Sequence, residues 1–91
     1  MKPKTKAEIL ADYINIKNLA ILEQEIALKQ DEDFLRKERL TARASSDIAT
    51  LEKLVNARKE QIETFQEQVK IAADMYLDEA TNADNEAKGS V

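Results

Sequence analysis

Cysteine, histidine and tryptophan are absent from the 91 residues, and glycine and proline occur once each, as Gly89 and Pro3. Without cysteine there is no disulfide and no thiolate nucleophile. Without histidine there is no imidazole base, and with both missing there is no zinc site of the usual kind. A single glycine excludes a glycine-rich phosphate loop. Long apolar runs are missing too. The longest is Leu19–Leu22, against the roughly 20 residues needed to span a bilayer. Lys2, Lys4 and Lys6 imitate the basic start of a signal peptide, but Glu8, Asp12, Asn15, Lys17 and Asn18 interrupt any hydrophobic region behind them. The expectation is a cytoplasmic protein that is not an enzyme, holds no cofactor or metal and takes no small-molecule substrate.

What is present is helix-forming sequence. Ala, Leu, Glu, Lys, Gln and Ile dominate, charged residues of both signs make up 35% of the chain, and residues 4–88 contain neither strong chain breaker. From Tyr13 every seventh residue falls in one column: Tyr13, Ala20, Ala27, Phe34, Thr41, Ile48, Val55, Ile62, Val69 and Tyr76. Only Thr41 interrupts its apolar character. A seven-residue repeat sustained this long is the pattern of helices winding on helices.

Residues 1–4 read as a basic arm. Thr5-Lys6-Ala7-Glu8 has capping-box spacing and predicts a helix start. That helix meets no stop signal until about Arg43. Leu10, Ile14, Ile21, Leu28 and Leu35 share one of its faces, with Tyr13, Ala20, Ala27 and Phe34 widening it. Leu19, Leu22 and Ile26 fall nearly opposite, so residues 19–28 are apolar around most of the circumference. One partner helix cannot cover both sides. Glu32–Arg36 and Asp33–Lys37 are acid-before-base pairs at four-residue spacing, each expected to add a few tenths of a kcal/mol to helix stability.

Ala44-Ser45-Ser46-Asp47 is the one internal break signal, since serine and aspartate favour N-caps over helix interiors. It divides the chain into helices over 5–43 and 47–81, whose similar lengths suit an all-α antiparallel hairpin, coiled-coil-like and assembling into a bundle. A single continuous helix, on the order of 110 Å long at 1.5 Å per residue, is the alternative. In the second helix, Ile48, Val55, Ile62, Val69 and Tyr76 occupy one heptad position and Leu51, Arg58, Phe65 and Ala72 the other. Residues 82–91 have no large apolar side chain before Val91 and predict an acidic disordered tail.

Function is far less legible than fold. Residues 1–30 carry five basic and four acidic side chains, residues 31–46 four of each, and residues 47–91 five basic and ten acidic. Such a balance disfavours general nucleic-acid binding. Arg36, Arg39 and Arg43 share a face as a possible contact for nucleic acid or an acidic partner, but acids interleave with them. Asp31-Glu32-Asp33 and Asp78-Glu79 read as solvated helix faces rather than metal or catalytic groups. Arg58 stands at a core position of the seam. Its stem can pack while the guanidinium reaches water, or it can fix register and partner choice.

The partner-binding candidates are Leu19, Leu22, Ile26, Ile48, Leu51, Val55, Arg58, Ile62, Phe65, Val69 and Tyr76. In size and texture the chain resembles the small coiled-coil assembly chaperones, scaffolds and inhibitors of phages and plasmids. It lacks the Trp-x-Gly turn of the secreted WXG-type hairpins. The expected role is a self-associating assembly factor, scaffold or chaperone that binds itself, as a dimer or larger, and another protein. An acidic inhibitor of a nucleic-acid-binding partner is the second expectation. A weak nucleic-acid binder acting through residues 36–43 is the third.

Overall fold

The computed structural model describes residues 2–41 and 45–89, with side chains at 2–41 and 47–82. Two helices, α1 (Lys6–Leu40) and α2 (Ser45–Gly89), make up the whole described architecture. They run antiparallel. Going back along α1 from Arg39 through Asp31 and Lys17 to Lys6, the partners on α2 advance from Glu52 through Arg58 and Phe65 to Glu79. The hairpin measures 73 × 24 × 14 Å and its Cα radius of gyration is 20.6 Å. A compact chain of this length has a radius near 12 Å, so this is a rod.

The start of α1 follows from its capping box. The Glu8 amide donates to Thr5 Oγ1 at 3.1 Å, and the Thr5 hydroxyl lies 3.2 Å from Glu8 Oε1, where it donates in return. The carboxylate thus reaches the capping hydroxyl rather than the capping amide. At the other end the sequence expectation of a helix to Arg43 is corrected: α1 stops at Leu40. Thr41 leaves helical geometry at φ −90°, ψ 6°. Its amide closes onto the Lys37 carbonyl at 3.1 Å and its hydroxyl donates to the Glu38 carbonyl at 3.1 Å. A threonine hydroxyl that competes for the last carbonyls ends the helix without glycine. The second helix starts at Ser45 rather than 47, and most of the Ala44–Asp47 break signal therefore falls inside α2. Arg43 lies outside the described residues.

Residues 82–89, predicted as tail, continue α2 to Gly89. Nothing between residues 82 and 88 breaks a helix, and the one glycine of the chain is where it ends.

Burial is thin. Among the described residues only Leu35, Val55, Ile62 and Ala72 are buried, and no polar side chain is. Each large one contributes roughly 1.5–3 kcal/mol, set against the ordering of two long helices. The flanking seam residues Leu10, Ile14, Ile21, Leu28, Ile48, Leu51, Phe65 and Val69 are half-buried. The α1 seam is therefore the Leu10–Leu35 face that the spacing predicts. The Tyr13–Phe34 part of the seven-residue column lies beside it: Tyr13 and Phe34 are exposed and Ala20 and Ala27 half-buried.

Candidate interaction surface

Two kinds of surface emerge once the seam is formed. The first is within the hairpin. Spaced by seven along α1, the half-buried positions Lys17, Gln24, Asp31 and Glu38 make a polar column inside an otherwise aliphatic seam. Arg58 crosses to it from α2. Its Nε donates to Asp31 Oδ2 at 2.7 Å and its Nη1 to Gln24 Oε1 at 3.0 Å. One heptad further along the column, Lys17 Nζ sits 4.2 Å from the centre of the Phe65 ring and 5.6 Å from that of Tyr13, a cation–π arrangement. Asp31 is thus not a freely solvated face residue. The Arg58 guanidinium does not run out to water but is held by the same chain.

The sequence candidates on α2 divide accordingly. Val55 and Ile62 are buried, and Ile48, Leu51, Arg58, Phe65 and Val69 half-buried, against α1. Tyr76 is exposed near the open end, where Lys6 and Glu79 approach to 3.4 Å.

The second surface faces outward. Leu19, Leu22 and Ile26 lie on the side of α1 turned away from α2, each more than half exposed, as their spacing predicts. Ile9 and Ile16 extend the stripe, Ile16 being the most open at 67%. These two were legible in the sequence as members of the same helical face but were not singled out. Between the helices lies a groove of about 230 Å³ lined by Leu10, Tyr13, Gln68, Ile71, Ala72 and Met75. Within it Gln68 Oε1 is buried with no hydrogen-bond partner.

Charge is distributed unevenly around this frame. Arg39 binds Glu52 at 2.6 Å across the helices, and Arg36 approaches Asp33 at 3.6 Å rather than Glu32, one turn back. Two of the three arginines read as a phosphate-gripping cluster are therefore already opposite acids of their own chain. Glu60, Glu63 and Glu67 line a shallow groove on α2 with Thr64 and Gln68. Near the start of α1, Lys4 pairs with Asp12. The hydrogen bond to that carboxylate first, and its charge second, hold the Lys4 ammonium above the usual lysine range.

Among the described residues no helix is long and apolar enough to cross a membrane, and no three acids cluster as a metal site would require. In class, then, the chain is an antiparallel two-helix hairpin of coiled-coil type with an open aliphatic stripe on its first helix. No family model, curated protein or solved structure matches it.

Proposed function

We propose that this hairpin is a non-enzymatic helical interaction protein, self-associating, that serves in the assembly, scaffolding or chaperoning of a larger complex. A cytoplasmic location belongs to this reading. The observation that carries it is the outward stripe Ile9, Ile16, Leu19, Leu22 and Ile26, five large aliphatic side chains more than half exposed on one helix. Monomeric soluble proteins seldom leave such a contiguous apolar patch bare. Stripe and seam divide the labour: the seam holds the hairpin together, and the stripe supplies affinity for something else.

The test is sedimentation equilibrium of the whole chain at tens of micromolar, beside a Leu19→Ser, Ile26→Ser double variant. A dimer or larger species is expected, shifted towards monomer in the variant while circular dichroism keeps its helical signal. A wild-type monomer under these conditions overturns the reading. Ile62 is no place for this test, because an acid there would unfold the hairpin first.

The acidic groove of Glu60, Glu63 and Glu67 favours a second reading, an inhibitor that presents carboxylates to a basic nucleic-acid-binding site. Neutralising these three and Asp74 would abolish partner binding by such a mimic and leave an assembly factor nearly unaffected.

A further inference from the structure

We infer that a second copy of the chain seats on the outward stripe of α1, antiparallel, about a two-fold axis at Leu22. The inference rests on the self-association reading and adds to it the face, the orientation and the register.

Area comes first. The chain exposes 7203 Å², whereas a compact monomer of its mass exposes roughly 5,400 Å². The excess is about twice the 800 Å² or so that each partner contributes to a standard interface. On α1 the stripe contributes five large aliphatic side chains to that surface, each more than half exposed.

Register follows from the side chains themselves. An axis at Leu22 stacks Leu22 on its own copy and Leu19 on the copy's Ile26, on both sides of the axis, giving three aliphatic layers. An axis at Leu19 would set Ile16 on the copy's Leu22 but Asp12 against Ile26, burying a carboxylate against an aliphatic group at both ends.

Charge settles the direction. Beyond the aliphatic layers, Asn15 faces Lys29 of the copy and Glu8 comes opposite Arg36 and Lys37. Asp12 meets Asp33, but each brings a base, Lys4 for the first and Arg36 for the second. Each end of the contact then holds three acids, Glu8, Asp12 and Asp33, and four bases, Lys4, Lys29, Arg36 and Lys37. A parallel pair would set Glu8 on Glu8 and Lys29 on Lys29, and would align the two helix dipoles.

The absence of cysteine makes the test clean, since every thiol is one that has been introduced. Three single variants are made in the full chain: Leu22→Cys, Asn15→Cys and Lys29→Cys. With a short thiol cross-linker, Leu22→Cys is expected to join to itself. Asn15→Cys and Lys29→Cys should join in a mixture of the two and not alone. Both of those side chains are polar and flank the stripe, so this pair reads the geometry even if the central cysteine weakens association. If sedimentation shows a dimer but Asn15→Cys couples to itself, or none of the three couples, the inference fails and the self-association reading stands. If the wild-type chain is a monomer, both fall together.

Discussion

Arg58 of α2 and Asp31 of α1 meet at 2.7 Å inside the seam, with Gln24 accepting from the same guanidinium at 3.0 Å. Both side chains of the pair are about one-third exposed. A polar contact of this kind contributes little net stability but penalises every register that separates its members. A slip of one heptad towards the start of α1 would set Arg58 against Lys17 and Gln24 in place of Gln24 and Asp31, and so remove its carboxylate. The pair therefore acts as a register mark for the hairpin, intramolecular where the sequence left open a role in choosing another chain.

A double-mutant cycle on Arg58→Met and Asp31→Leu is expected to give a coupling energy on the order of 1 kcal/mol in urea denaturation. The double variant should be at least as stable as the single ones. A coupling near zero would mean that the contact does not hold the helices in register.

Ile62→Ala removes one of the few buried aliphatic groups. It is expected to cost about 2–4 kcal/mol, a large share of what so thin a core supplies. By contrast Ile16→Ser, on the outward stripe, should leave the urea midpoint of dilute protein within about 0.5 kcal/mol of wild type. If the two substitutions cost the same, the division between seam and stripe is mistaken.

Gln68→Leu replaces a buried acceptor that has no partner. Removing such a group is expected to raise stability by about 1 kcal/mol, read as a higher urea midpoint at unchanged slope. A drop would show that the amide oxygen is satisfied in solution.

Thr5→Ala deletes the cap of α1 and should cost about 1 kcal/mol. Hydrogen exchange should quicken at the first-turn amides, Glu8 and Ile9 above all, because the Glu8 amide then loses its acceptor. Unchanged exchange at Glu8 would count against the capping geometry.

Lacking histidine and cysteine, the chain has no side chain whose ordinary pKa lies between about 5 and 8, and Lys4 is displaced upward, away from that window. For a base raised in the folded state, the stabilisation is complete below the unfolded value of 10.5 and fades as pH climbs through the folded one. Lys4→Met should therefore match wild type in the steepness of its stability curve from pH 6 to 9 and lose the small extra fall above pH 10.5. A sharp transition near pH 6.5 in either protein would contradict this.

How much could be read from residues alone depended on the scale of the interaction. The Thr5–Glu8 cap, the Leu10–Leu35 face and the open Leu19–Ile26 stripe were legible because each is set within one helix, by spacing and by the hydrogen-bond needs of a helix end. The polar column Lys17–Glu38 was not singled out. Its members look like ordinary surface charge until Arg58 and Phe65, more than twenty-five residues away, are brought against them. The end of α1 at Leu40 was missed because a threonine hydroxyl, not glycine, terminates it, and helix-forming composition carried α2 past residue 81 to Gly89.

Sequence by itself determined that this chain is helical, broken once, two-sided in its apolar pattern and without the usual nucleophiles and bases, because periodicity and composition act locally along the chain. Tertiary structure alone decided that Tyr13 and Phe34 stay outside the seam beside the Leu10–Leu35 face, that Lys17 meets Phe65 and that Arg58 answers Asp31. Those outcomes depend on how two distant helices rotate against each other, and only their packing together fixes that angle.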